Sequence, residues 1–203
     1  MKFSKFFSDL QEAPWYRLFL DPVINEINNG GELLDIGTGS GKLIQILATE
    51  KDVHCTGVDT NSDMLKEAKV KLKNINAELI EILPDTKLPF EKNSFDHIAI
   101  CSVLFHLKKE SIDSMLNDAL GLLKEGGTII ILTPTGNGGI LKLSKHFISI
   151  RNKGVYVWYR STKKRARMWS KENYLSKYAS KTSLKYKREL VMNEFAQLEI
   201  IYR

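Results

Sequence analysis

Cysteine is scarce in this chain: Cys55 and Cys101 are the only two among 203 residues, and neither belongs to a Cys-x-x-Cys or Cys/His group. Each lies inside an apolar, strand-like run, so buried thiols are the expectation rather than a reactive pair. The four histidines, His54, His97, His106 and His146, are scattered without metal-ligand spacing, and no zinc site is visible. No apolar run approaches the ~18 residues needed to cross a bilayer. The opening MKFSKFFSDLQEAPW has no continuous apolar core, so no secretory signal is read and a cytoplasmic location is expected. Internal repeats and low-complexity tracts are absent as well.

What is present suits one soluble domain with a sizeable core: 43% hydrophobic and 27% charged residues. The net charge of +6 is unevenly spread. Residues 1–138 carry 14 Lys/Arg against 20 Asp/Glu, whereas residues 139–190 carry 15 against 2. One strongly basic segment therefore follows an acidic one, and a functional account has to explain it.

Strand-like runs at 32–36, 53–58, 77–83, 95–101 and 128–133 alternate with helical spacing at 41–50, 62–74 and 110–123. This alternation predicts βαβ units and a mostly parallel sheet covered on both faces, a doubly wound α/β domain. Ser62 is expected to cap the helix that begins near Asp63, and Lys124-Glu125-Gly126-Gly127 to close the helix that begins near Glu110. Beyond Asn137-Gly138-Gly139, residues Ile140, Leu143, Phe147 and Ile150 recur at helical spacing. The segments 184–193 and 195–203 predict an antiparallel hairpin turning at Asn193-Glu194.

The stretch Asp35-Ile36-Gly37-Thr38-Gly39-Ser40-Gly41-Lys42 follows the first strand directly. A phosphate-binding loop requires G-x-x-x-x-G-K-[ST]; Ile36 and Leu43 occupy two of the required positions, so that reading fails. A dinucleotide turn requires its third glycine where Lys42 stands, and that reading fails too. What remains is G-x-G-x-G, whose glycines permit positive φ and let backbone press against a flat nucleoside and an amino-acid tail. The acid at Asp35 suits a cationic ligand. Asp59 ends the second strand, where a carboxylate can accept hydrogen bonds from both hydroxyls of a ribose or simply cap the next helix.

With these motifs the sequence resembles the class I S-adenosylmethionine-dependent methyltransferases, in particular the small ubiquinone/menaquinone-methylase-like branch. DIGTGSG, GVDTNSDML, LPFEKNSFD, SVLFHL and LLKEGGTIII carry the resemblance in that order, over roughly residues 31–134. It implies a Rossmann-like methyltransferase fold: a seven-stranded mixed sheet with an antiparallel C-terminal hairpin. It also implies S-adenosyl-L-methionine as cofactor, with Asp35, Gly37, Thr38, Gly39 and Gly41 along its methionine and ribose. Asp59 would grip the ribose, Thr60 and Met64 would pack near the adenine, and Asp85, Thr86 and Ser102 would complete the set. One departure stands out, because the branch commonly reads Gly-Asp-Ala where this chain has Leu83-Pro84-Asp85-Thr86. The acid is displaced by one place, and Asp85 either still reaches the adenine or faces solvent.

Displacement at a sulfonium needs alignment in a dry pocket, and needs a base only where the acceptor keeps its proton. His106 is the candidate to orient or deprotonate an acceptor, against the plainer reading of a helix-start histidine bonded to backbone. Residues 1–30 are expected to form a helical lid, with Trp15 and Tyr16 on the substrate side or packed in the core. The core would then span 31–134, the basic substrate-side insertion 135–182, and the hairpin 183–203. Arg160 represents the basic segment at the acceptor. That segment could track nucleic acid, lie on an anionic membrane near a lipid or quinone, or steer a small acidic metabolite. A small-molecule acceptor is the leading expectation, with no obligate protein partner, and a non-catalytic cofactor-binding module is the non-enzyme alternative.

Overall fold

Apolar five- to seven-residue runs that alternate with amphipathic helices can hide both of their faces only by forming a sheet between two helical layers. The computed structural model describes residues 3–203 and has this form. Its strands are β1 (Glu32–Ile36), β2 (His54–Asp59), β3 (Ala77–Glu81), β4 (Phe95–Cys101), β5 (Leu123–Pro134), β6 (Lys185–Val191) and β7 (Ala196–Tyr202). The helices are α1 (Phe3–Gln11), α2 (Pro14–Glu26), α3 (Lys42–Glu50), α4 (Ser62–Lys71), α5 (Lys109–Leu122), α6 (Ile140–Phe147), α7 (Gly154–Glu172) and α8 (Tyr174–Lys181). The seven strands lie in the order β3-β2-β1-β4-β5-β7-β6. Those from β1 to β5 pair in parallel, and β7 runs antiparallel to both of its neighbours. The chain leaves β1 towards β2 and β3 on one side and returns at β4 on the other. Ligands of open α/β sheets bind at such a switch point, outside the carboxyl ends of the strands.

Alternating side chains feed two cores. Leu33, Ile130, Leu132 and Ile200 join α2, α3, α6 and α7 on one face, while Leu34, Ile98, Ile129 and Ile201 join α5 and α8 on the other. Trp15 and Phe19 of α2 meet Trp158 of α7, with ring centroids 5.2 and 5.3 Å apart. Such aromatic pairs add about 0.5–1.5 kcal/mol beyond area burial. So α2, inside the segment expected to be a lid, belongs to the core layer and ties the two ends of the chain together. The first two residues of that expected lid lie outside the described residues.

Three local expectations are corrected. Asn61, not Ser62, caps α4: its Oδ1 accepts from the N–H groups of Asp63 and Met64 at 3.0 and 3.1 Å. Gly126-Gly127 does not close α5; the helix ends at Leu122, and β5 begins at Leu123 with a register shift opposite Phe95 and His97. A Cβ on Gly127 would come within 2.9 Å of the Asp96 carbonyl oxygen, so the glycine serves that irregularity. The hairpin turn is longer than Asn193-Glu194, because Val191 pairs with Ala196 and Met192, Asn193 and Glu194 all take positive φ. The basic segment folds as α6, α7 and α8 and runs on into β6, with α7 its longest element.

Candidate functional site

At the switch point lies a cavity of about 860 Å³. The tips of β1, β2 and β4 form its floor, α1 one wall, and α5 and α7 the opposite walls.

The floor starts at the glycine loop. The N–H groups of Gly37 and Thr38 both donate to the Val58 carbonyl, at 2.8 and 3.0 Å, which turns the chain sharply at the end of β1. Gly37 has φ +77°, and a Cβ there would stand 2.3 Å from Val103 Cγ2, so only glycine fits. Gly39 lies beside Met64, whose Cε would be 3.3 Å from an added Cβ. Asp59 Oδ2 accepts from the Gly39 N–H at 2.8 Å, and Oδ1 accepts from the Asn61 N–H at 2.9 Å. Each carboxylate oxygen keeps lone pairs for further donors.

Asp35 is buried at the same floor, and burial pushes its carboxyl up to about 7; the Thr38 hydroxyl opposes the rise and Asp59 adds to it. The hydroxyls of Thr38 and Ser102 are both buried in the cavity lining; that of Thr38 faces the Asp35 carboxyl, and that of Ser102 has no hydrogen-bond partner among the described residues. A buried hydroxyl without a partner is costly, so the cavity holds a polar group ready for a ligand. Ser102 also sits at φ +60°, at the end of β4.

The wall made by α1 is fastened to the loop by polar side chains that no motif announced. Gln11 Nε2 donates to the Tyr16 hydroxyl at 2.8 Å, and Gln11 Oε1 accepts from the Ser40 hydroxyl. Lys71 of α4 reaches Ser40 Oγ at 2.7 Å and Glu12 at 2.7 Å, while Lys42 reaches Glu12 at 2.6 Å. Lys42, which ruled out a dinucleotide turn, thus serves as an anchor for α1. Burial pushes the Glu12 carboxyl up, but the two lysines outweigh it and hold the group below its ordinary value.

On the far side, α7 turns Val157, Trp158, Ser161, Thr162 and Arg165 to the cavity at three- and four-residue spacing, facing Ser111, Met115 and Asp118 of α5. Arg165 Nη1 donates to His106 Nδ1 at 3.0 Å. Burial and the guanidinium both lower the His106 pKa. Arginine has no acceptor, so His106 is neutral with its proton on Nε2.

Of the residues singled out in the sequence, Tyr16, Asp35, Gly37, Thr38, Gly39, Asp59, Thr60, Met64, Asp85, Thr86, Ser102 and His106 all line this cavity. Asp85 and Thr86 are exposed at its rim, with Asp85 at φ +58° and the Thr86 hydroxyl donating to the Leu83 carbonyl at 2.8 Å. Three residues fall elsewhere. Gly41, at φ +75°, caps α3, where a Cβ would strike Leu72 of the segment after α4 at 2.9 Å. Trp15 is wholly buried in the aromatic core. Arg160 lines a separate shallow groove on the outside of α7 with Lys163, Lys164, Arg167, Met168 and Lys171. A single turn of helix separates the two faces, and only Arg165 of the basic run reaches the cavity. Among the described residues, no group of three His, Cys, Asp or Glu is placed to hold a metal ion.

Residues 33–127 match a family described as "Methyltransferase domain". Over these residues the chain is similar to a methyltransferase domain. The chain is 32% identical over 136 residues to the ubiquinone/menaquinone biosynthesis C-methyltransferase UbiE of Rickettsia bellii, covering 62% of this chain and 53% of that protein. It is 30% identical over 135 residues to the UbiE of Allorhizobium ampelinum, with 62% and 51% covered. The chain spans about half the length of these curated relatives. Among solved structures, a SAM-dependent methyltransferase from Aquifex aeolicus superposes with a TM-score of 0.69 at 16% identity, covering 99% of both chains. A candidate S-adenosyl-L-methionine-dependent methyltransferase from Methanococcus maripaludis superposes at 0.74 with 21% identity, covering 98% of this chain and 90% of that one. These structures share the fold of the chain across nearly its whole length.

Proposed function

We propose that this chain is an enzyme that transfers the methyl group of S-adenosyl-L-methionine to a small-molecule acceptor. The observation that carries the reading is a single cavity joining two kinds of surface. One half has the glycine loop, Asp35, Asp59 and the unpartnered Ser102 hydroxyl; the other has the apolar and hydroxylated walls of α5 and α7.

The residues fit the cofactor. Asp59, already fixed by two backbone N–H groups, keeps acceptor capacity for both ribose hydroxyls. Gly37 and Gly39 let the backbone approach, and Met64 supplies an apolar contact for the adenine. Asp35 offers a buried carboxylate to the cationic part, and the hydroxyls of Thr38 and Ser102 offer further polar contacts. Asp85 and Thr86 stand at the rim near Met64's side of the site. Bound there, the cofactor supplies an electrophilic methyl carbon. The chain's own contribution is to align the acceptor and keep water out, through α1 on one side and Trp158 and Met115 on the other.

His106 is assigned as an orienting donor rather than a base, because Arg165 occupies the ring nitrogen that would accept a proton. Calorimetry with S-adenosylhomocysteine tests the cofactor half. Mass spectrometry after incubation with labelled cofactor and a metabolite panel tests turnover. Binding without any labelled product would favour a non-catalytic module.

A second reading, a lipid-soluble acceptor reached from an anionic membrane, is supported by α6 and its flank. Ile140, Leu141 and Ile148 are 66%, 90% and 80% exposed in a segment that also carries Lys142 and Lys145. Nucleic acid draws less support, since three of the four aromatics of α7, Trp158, Tyr159 and Trp169, pack inward, and the fourth, Tyr156, is half-buried and bonded to Ser144. Co-sedimentation with anionic against neutral vesicles separates the membrane reading from a freely diffusing acceptor.

A further inference from the structure

The charges around the cavity are segregated. Asp35, Asp59 and Asp85 stand on the cofactor side, where the one lysine, Lys42, is already engaged by Glu12. On the acceptor side stand Arg165, Lys108 and neutral His106, with Asp118 as the opposing carboxylate. The guanidinium of Arg165 spends one donor on His106 Nδ1 and keeps others. That same bond fixes the imidazole proton on Nε2. Two adjacent side chains thus offer N–H donors and neither can accept a proton at neutral pH, an arrangement suited to an oxygen that is already negative. The surrounding walls, Trp158, Phe105, Leu107, Met115 and Val157, are apolar.

Resting on the methyltransferase reading above, the geometry points to an acceptor with an apolar or aromatic body and one anionic oxygen, a carboxylate or a phenolate, held by Arg165 and the Nε2–H of His106. The acceptor gives its proton to solvent before or on entry. In the transfer a lone pair of the acceptor forms the bond to the methyl carbon, and the electron pair of the broken C–S bond stays on sulfur. An anion and a sulfonium become two products with neither charge, and no protein base is consumed. Arg165, rather than Arg160 on the outer face of the same helix, is the specificity-determining cation.

The test uses the full chain saturated with S-adenosylhomocysteine and titrated calorimetrically with four probes: benzoate, benzamide, 4-nitrophenol at a pH where it is ionised, and nitrobenzene. At least one anion is expected to bind tenfold or more tightly than its neutral counterpart. Preference for benzoate alone identifies a carboxylate, and preference for nitrophenolate alone a phenolate. Arg165 is exposed, so Arg165→Gln is expected to keep the fold and S-adenosylhomocysteine affinity while abolishing the preference. Arg165→Lys restores part of it, and Lys164→Ala on the outer face leaves it unchanged. Equal binding of anion and neutral probe, binding of no probe, or a preference that survives Arg165→Gln overturns the inference. Failure of S-adenosylhomocysteine itself to bind overturns the cofactor reading instead, so the two failures are distinguishable.

Discussion

The carboxylate of Asp59 accepts a 2.8 Å hydrogen bond from the backbone N–H of Gly39, so the tip of β2 and the glycine loop after β1 form one rigid corner. Residues twenty apart in the chain are brought into contact because β1 and β2 pair in parallel with Ile36 opposite Val58. The loop and the carboxylate that would share a ribose are therefore positioned before any ligand arrives.

Replacing Asp59 by alanine removes both that brace and the proposed ribose acceptor. Affinity for S-adenosylhomocysteine is expected to fall by about 1–3 kcal/mol, measured by calorimetry. Unchanged affinity would falsify the site assignment.

Asp35 gives a pH signature. Its folded pKa of about 7 lies above the ordinary carboxylate value because of burial, so the folded state holds the proton more tightly than the unfolded state. Its contribution to stability is complete below the unfolded pKa and is lost as pH rises through about 7. Asp35→Asn should therefore raise the unfolding free energy of the empty protein more at pH 8 than at pH 5.5, by a few kcal/mol at most, read from denaturant melts at the two pH values. The same variant should bind S-adenosylmethionine less well at pH 8, with a smaller loss for S-adenosylhomocysteine, which has no sulfonium charge. A stability gain independent of pH would contradict the argument.

Gly37→Ala puts a methyl group against Val103 and forces alanine to φ +77°. A loss of about 2–4 kcal/mol is expected. Val103→Ala in the same chain should recover the steric part and leave the backbone part. Denaturant melts of the two single variants and the double variant read the coupling directly.

The hold of α1 on the loop runs through Gln11 and Glu12. Gln11→Ala takes away the acceptor of the Ser40 hydroxyl and the donor to the Tyr16 hydroxyl, and Glu12→Ala leaves Lys42 and Lys71 without their shared carboxylate. Both should speed proteolysis near residues 1–13 and quicken release of S-adenosylhomocysteine, measured by stopped-flow competition. If neither rate moves, α1 is not fastened by these bonds.

The order of elements, the parallel sheet and its antiparallel end were legible because period-two and period-3.6 hydrophobicity, with glycines between, are local signals. The glycine loop and Asp59 were legible for the same reason: each is a short motif at a strand end. The caps and turns were less so. Asn61 and Ser62 are adjacent cap formers, and Gly126-Gly127 reads equally as a helix stop or a strand irregularity until the Asp96 carbonyl is in place.

The sequence alone marked the glycine loop and Asp59, whose chemistry and spacing coincide within single loops. Only the tertiary structure decided which side of the basic segment matters. In a helix of 3.6 residues per turn, Arg160 and Arg165 differ by about 140° in direction, so one faces solvent and the other faces His106, fifty-nine residues away in sequence. The same holds for Trp15 in the core and for Gln11 against Ser40. Side chains that meet across long chain separations are paired by the packing of layers, and no local pattern records that.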